Sequence, residues 1–223
     1  MINASRLVLA SNSPRRAELL ALGEWSIQVS AGAIDEAQLR GEDPGEYVRR
    51  LAREKALAAL PVSVPADAIV AADTAVLDGD EVLGKPADAA EAIRMLRQLR
   101  SRSHRVFTGL AALVVGTGQL LTDLCVTDVP MRDYSDMEIE SYVASGDPMD
   151  KAGAYGIQHA GFHPVSHLQG CYASVMGLPL CHLVRLLGRL ELPAKPGLPE
   201  RCQSHLKYAC PVSTAILRGE MVG

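Results

Sequence analysis

Leu7-Val8-Leu9-Ala10-Ser11-Asn12-Ser13-Pro14-Arg15-Arg16-Ala17-Glu18-Leu19-Leu20 is the stretch whose reading decides the fold class of this chain. It begins as an apolar run of the kind that forms a buried strand, and the run breaks at two serines. Ser13 suits a helix N-cap and Pro14 the first helical position. Arg15 and Arg16 then stand in the first turn, beside unpaired backbone N–H groups and the positive end of the helix dipole. A strand that runs into a capped helix carrying two hydroxyls and two guanidinium groups is a cradle for an anion such as phosphate. The same letters would also serve an ordinary capped helix with solvated arginines, so the rest of the chain has to decide.

Strand and helix patterns alternate outward from this point, which indicates an α/β domain. The chain has 223 residues, of which 48% are hydrophobic and 4% aromatic. That is enough for one large core, read as a unit over residues 1–191 with an extension over 192–223. The formal charge of −4 provides no global basic field, which argues against non-specific nucleic-acid binding. No apolar run reaches transmembrane length and no leader pattern is visible, so a cytoplasmic protein with no membrane partner is expected. The five cysteines (125, 171, 181, 202 and 210) show no CxxC spacing, and reduced thiols without a zinc site are expected.

The charges are unevenly chosen. There are 17 arginines and five lysines, and before residue 190 the lysines are Lys55, Lys85 and Lys151 alone. Lysine offers a compact point charge suited to polyphosphate oxygens. Asp43-Pro44-Gly45-Glu46 reads as a capping box opening a helix to about Leu60. On that helix Lys55 falls within the apolar stripe of Val48, Leu51, Ala52 and Ala59, where it must snorkel or hold an anion. Asp67 to Thr74 reads as a buried strand ending in a carboxylate, which places Asp73 where ligands gather in α/β sheets. An Asp-Gly hairpin then returns Gly84-Lys85-Pro86 toward the same end. Ile34-Asp35-Glu36 follows another short strand. The glycine-rich Asp150 to Gln158 holds Lys151, allows close backbone approach, and offers Gln158 for a base edge. His159, His163 and His167 are separated by the helix breakers Gly161 and Pro164, which argues against a metal role for them. Beyond Leu190 the periodicity fails, and the extension reads as loosely packed.

Arg15, Arg16, Lys55, Lys85 and Lys151 facing Glu36 and Asp73 suit a polyphosphate with a divalent cation, since oxygen ligands bind Mg²⁺ or Mn²⁺. No Walker GxxxxGK[ST], GxGxxG or GxSxG motif is present. A serine-nucleophile hydrolase built on Ser11 or Ser13 lacks a histidine base at any recognisable spacing.

Six motifs, in order, resemble the Maf family of nucleoside triphosphate pyrophosphatases. They are Ser11-Asn12-Ser13-Pro14-Arg15-Arg16, Arg53-Glu54-Lys55, Ala72-Asp73-Thr74, Gly84-Lys85-Pro86, Asp150 through Gln158, and Gly177-Leu178-Pro179. The resemblance runs from about Leu7 to Leu190. It implies a mixed, elongated β-sheet flanked by helices around a central cleft, as in the inosine triphosphate pyrophosphatases, and it is compatible with a homodimer. It implies hydrolysis of a nucleoside triphosphate at the α-phosphate to the monophosphate and pyrophosphate, with Mg²⁺ or Mn²⁺ as cofactor. Asp73 would be the proton acceptor for the attacking water, or Asp73 and Glu36 would mainly hold the metal; both roles stay open. Ser11, Ser13, Arg16, Lys55, Lys85 and Lys151 would bind substrate. Arg15, Thr74 and Gln158 match the specificity positions of members preferring dTTP and UTP, whereas the N7-methyl-GTP subgroup tends to carry tryptophan in place of Arg15. The resemblance also carries a house-cleaning role against non-standard nucleotides and an association with arrest of cell division. Ala71 stands where glycine is common, and the extension has no counterpart. A non-catalytic nucleotide sensor using the same cleft is the rival reading; it would have no need of a water-activating carboxylate.

Overall fold

The computed structural model describes residues 5–60, 66–220 and 222–223; the rest of the expected 1–191 unit, residues 1–4 and 61–65, lies outside the described residues. Six strands form one mixed sheet: β1 (Arg6–Leu9), β2 (Ser26–Val29), β3 (Ala68–Asp78), β4 (Glu81–Leu83), β5 (Ser103–Val114) and β6 (Leu120–Pro130). Their order is β2-β1-β3-β5-β6, with β4 also paired to β3. The helices are α1 (Pro14–Ala21), α2 (Pro44–Ala59), α3 (Ala89–Leu99), α4 (Asp136–Ala144), α5 (Tyr172–Val175), α6 (Leu180–Gly188), α7 (Leu198–Leu206) and α8 (Ser213–Leu217). The α/β class and the mixed, helix-flanked sheet are as expected.

β3 is the axis of the molecule, and every residue of it except Thr74 is buried. One edge pairs antiparallel with β5 from Ala68 to Leu77. The other edge is divided. β1 runs parallel to Ala68–Val70, and β4 runs antiparallel to Val76–Asp78. Between them, no strand among the described residues pairs with Ala71 to Ala75 on that edge. Because β1 and β4 approach from opposite ends, the loops after Leu9 and after Leu83 both empty into this gap. The sequence reading ends the buried apolar run at Asp73-Thr74 and continues it into Ala75-Val76-Leu77-Asp78 of the hairpin. In the structure the two are one strand with Asp73 in its middle, because Ala75, Val76 and Leu77 continue the ladder with Phe107, Val106 and Arg105.

The two faces of the sheet are covered differently. On one, α2 lays Ala52, Ala56 and Ala59 against Val8, Ile69, Ala71, Ala111 and Leu113. Gly109 lets it come close, since a Cβ there would lie 2.4 Å from the Val48 carbonyl oxygen. Asp43 caps α2 by accepting from the N–H groups of Gly45 and Glu46. The reciprocal half of the expected capping box does not form, because the Glu46 side chain pairs with Arg49 instead. The other face carries the main core, where Leu96 and Leu99 of α3 and Leu183 and Leu186 of α6 meet Leu9, Val70 and Leu110. The capping box at Ser135 and Glu138 forms in full at the start of α4.

The extension is packed, contrary to the sequence reading. Leu198, Cys202 and Ile216 are buried. Arg201 donates to the Leu22 carbonyl at 2.7 Å, and Arg185 of α6 donates to the Ile216 and Glu220 carbonyls. The apolar positions of two short helices are too few for a periodic signal, yet enough to seat both on α6. Among the described residues, no helix is long and apolar enough to cross a membrane.

Candidate active site

The gap on β3 opens into a cavity of about 630 Å³. All eleven residues singled out in the sequence line it: Ser11, Ser13, Arg15, Arg16, Glu36, Lys55, Asp73, Thr74, Lys85, Lys151 and Gln158. They arrive from six separate segments, each delivered by the topology around β3.

Lys55 stands at the centre. α2 crosses the sheet so that its inward stripe brings Nζ to 2.5 Å from Asp73 Oδ1 and 2.7 Å from Glu36 Oε1. The Lys55 side chain is only 14% exposed, so it does not snorkel. Burial pushes the Asp73 carboxyl above its ordinary range, and the charges of Lys55 and Arg16 only partly offset it. Glu36 moves the opposite way, because the hydrogen bond from Lys55 holds it below the usual carboxylate range. Two carboxylates facing one cavity thus have separated proton affinities, which suits one of them to accept a proton.

Glu36 lies on a loop between β2 and α2, and three residues not singled out in the sequence hold that loop. Tyr47 donates its hydroxyl to the Glu36 carbonyl at 2.8 Å. Arg50 grips Glu42 through two nitrogens at 2.6 and 2.9 Å and donates to the Ala37 carbonyl. A fork-to-fork pair of this kind fixes geometry as well as charge. The i and i+3 placement of Tyr47 and Arg50 on the loop-facing side of α2 was the only trace of this in the sequence.

At the other end, Ser13 is the N-cap of α1, but its hydroxyl makes no capping hydrogen bond and no acidic residue stands in the first turn. The first-turn amides of α1 are therefore left for an anion. The Ser11 hydroxyl accepts from the Ser13 N–H at 3.2 Å. Arg16 is fully engaged with the protein: it donates to the Gly177 carbonyl at 2.9 Å, to Ser11 Oγ at 3.2 Å and to Thr74 Oγ1 at 3.2 Å. Burial lowers its pKa from an extremely high value. Gly177 has φ +101°, which aims its carbonyl at the guanidinium and disfavours any side chain there.

The remaining cations differ in freedom. Lys151 is 7% exposed and bonded to Asp150 at 2.7 Å and to Asp147 at 3.1 Å. Arg15 reaches Asp150 at 3.3 Å, joining α1 to the turns at residues 147–154. For Asp150, burial works to raise the pKa, but the hydrogen bond from Lys151 and the charge of Arg15 outweigh it and the net shift is downward. Lys85 is exposed at the rim, and among the described residues no hydrogen bond or ion pair engages it. Gln158 is likewise exposed, with its amide beside Gly156.

Among the described residues, no group of three or more acid, histidine or cysteine side chains could by itself hold a metal ion. Glu36 and Asp73 nevertheless converge on one cationic point, the Lys55 ammonium. Two hard carboxylate donors open to a polar cavity fit a Mg²⁺ or Mn²⁺ ion whose other ligands are phosphate oxygens and water.

Residues 6–190 match the family described as Maf-like protein. The chain is 46% identical over 192 residues to the dTTP/UTP pyrophosphatase of Anaeromyxobacter dehalogenans (strain 2CP-1 / ATCC BAA-258), covering 85% of this chain and 96% of that one. It is 45% identical over 185 residues to the dTTP/UTP pyrophosphatase of Geobacter sulfurreducens, covering 83% and 96%. It is 45% identical over 197 residues to the protein of that name in Chromobacterium violaceum, covering 86% and 98%.

Proposed function

This chain belongs to the Maf family, and on that premise we propose that it hydrolyses dTTP and UTP to the nucleoside monophosphate and pyrophosphate. The names of its relatives support the substrates. The observation that carries the chemistry is the Lys55 ammonium between the raised Asp73 carboxyl and Glu36, within a cavity large enough for a nucleotide.

In this reading the triphosphate lies along the gap in β3. The first-turn amides of α1, with the Ser11 and Ser13 hydroxyls, take one set of phosphate oxygens. Lys85 swings from the rim onto another, and Lys55 transfers part of its bonding from the carboxylates to phosphate. Asp73 accepts a proton from the water whose oxygen attacks the α-phosphorus; the bond from that phosphorus to the bridging oxygen breaks, and pyrophosphate leaves. A divalent ion held by Glu36 and Asp73 would neutralise phosphate charge and polarise the α-phosphoryl group. Arg16 positions Ser11, Thr74 and the Gly177 carbonyl rather than the phosphates. Arg15 and Gln158 face the base, where a glutamine amide can pair with the donor and acceptor edge of a pyrimidine. Removing surplus or non-standard nucleotides is the corresponding cellular role.

Pyrophosphate release from dTTP, UTP, CTP, GTP and N7-methyl-GTP with Mg²⁺ or Mn²⁺ tests this, with Asp73→Asn run alongside. Turnover of dTTP and UTP that falls by about 100-fold or more in the variant supports the proposal. Nucleotide binding without pyrophosphate release would make the protein a sensor, and cleavage confined to N7-methyl-GTP would overturn the assignment of Arg15 and Gln158.

A further inference from the structure

Two further thiols, Cys125 and Cys210, neighbour Cys171, the residue that precedes α5. Its neighbours Cys125 of β6 and Cys210 of the extension, together with burial, push the Cys171 thiol well above its ordinary range. Cys171 is the N-cap residue of α5, yet its side chain caps nothing. The turn carrying Cys210 is fastened to the same place. Tyr208 donates its hydroxyl to the Leu168 and Gly170 carbonyls at 3.1 and 2.9 Å, and its ring lies 5.5 Å from that of Tyr172. The Cys210 N–H donates to Gln203 Oε1 of α7 at 3.0 Å. Cys171 and Cys210 line one small apolar cavity together with Tyr172 and Tyr208.

Of the five cysteines, Cys210 alone is not buried. Its thiol pKa is lowered by its neighbour Cys171 and by backbone N–H groups, against the opposing effect of burial, and the net shift favours the nucleophilic thiolate form. A half-exposed sulfur sharing a cavity with a buried one, on a turn that Tyr208 fastens to the residues on either side of Cys171, is the arrangement of an attacking cysteine and its resolving cysteine.

We propose that Cys210 is a thiol-modification site and that Cys171 resolves it, giving a Cys171–Cys210 disulfide when the protein meets a low-molecular-weight disulfide. In the first step the Cys210 thiolate attacks RSSR; the bond from Cys210 sulfur to one RS group forms and a thiolate RS⁻ leaves. In the second, Cys171 gives its proton to that thiolate and attacks the Cys210 sulfur, displacing the second RS⁻, which is protonated from water. Two cysteine thiols are oxidised and one RSSR is reduced to two RSH. The new bond ties the extension to the segment that continues, within six residues, into Val175, Met176 and Gly177 of the cavity wall.

The test treats the folded, full-length protein with oxidised glutathione at neutral pH and follows free thiols and the non-reduced peptide map. The count falls from five to three, two thiols being consumed by one cross-link, and the map joins the Cys171 and Cys210 peptides. Cys171→Ser stops at the mixed disulfide on Cys210, and Cys210→Ser keeps its four remaining thiols. A wild-type protein that keeps all five thiols, that stays capped at Cys210 without a cross-link, or that joins Cys125 to Cys171 overturns the proposal. The wild-type map decides even if a variant fails to fold.

Discussion

Lys55→Met removes the charge at the centre of the site while keeping an apolar stem in the stripe of α2. It leaves Asp73, which is 8% exposed, without its closest cation. Stripping one partner from a buried ion pair costs about 3–5 kcal/mol, because the remaining charge is desolvated and unpaired. The nearby Arg16 charge still favours ionised Asp73, so the low end, about 3 kcal/mol, is expected at pH 7. Glu36, with its side chain 58% exposed, can return to water and adds little. For a chain of this size about 3 kcal/mol corresponds to a fall in Tm of roughly 6–12 °C. The sign of the pH dependence follows from the direction of the Asp73 shift. A carboxyl whose folded pKa is raised binds its proton more tightly when folded, so stability is lost as pH rises from the ordinary carboxylate range through the folded value. Removing Lys55 raises that value further, so the deficit of the variant shrinks between pH 7 and pH 5. Urea unfolding at both pH values, with Asp73→Asn and the double variant, closes a thermodynamic cycle. The double variant should be more stable than Lys55→Met by about 2 kcal/mol, since it buries no unpaired charge. A Lys55→Met protein within about 1 kcal/mol of wild type at pH 7, with no coupling to Asp73→Asn, would show that the pair is solvated and refute the argument.

Two further outcomes follow from other parts of the structure. Arg16→Lys keeps the charge but lacks the fork that reaches Gly177, Ser11 and Thr74, and each charged hydrogen bond lost is worth about 1.5–3 kcal/mol. The kcat/KM for dTTP should fall by roughly 10- to 100-fold, measured by pyrophosphate release; unchanged kinetics would remove Arg16 from the positioning role. His104, buried with its Nε2 2.8 Å from the Tyr155 hydroxyl, is depressed to about 4 by burial. The unfolded chain therefore binds a proton there first, and stability falls as pH drops from about 6.5 toward 4, by up to roughly 3 kcal/mol. His104→Phe should flatten that limb of the stability profile in urea titrations, even if its stability at pH 7 is lower; a limb of unchanged slope would assign the effect to other groups.

Much of the site was legible because its residues violate local expectation. Lys55 stood out as a charge inside an apolar stripe, Asp73 as an acid in a near-continuous apolar run, and Ser13-Pro14 as a helix start followed at once by two arginines. Each is a one-dimensional anomaly that periodicity exposes. The Arg50–Glu42 grip and the Tyr47 hydroxyl were not legible, because they look like an ordinary solvated helix face until the loop carrying Glu36 is folded over them. The packing of residues 192–223 was hidden for a related reason: Leu198, Cys202 and Ile216 acquire meaning only against α6 and α1.

The sequence by itself determined the α/β class and the charged residues that line the cavity, since these rest on local periodicity, caps and motif chemistry. Only the tertiary structure decided how those residues divide their work. Arg16 and Lys151 carry the same charges as Lys55 and Lys85, yet the fold spends the first two on carbonyls, hydroxyls and carboxylates of the protein and leaves Lys85 at the rim with no hydrogen bond or ion pair among the described residues. Asp73 and Glu36 are both carboxylates, and burial raises one while a hydrogen bond lowers the other. Charge belongs to the residue type, but desolvation and partners belong to position. Position here is set by β3, whose divided edge no local pattern foretells.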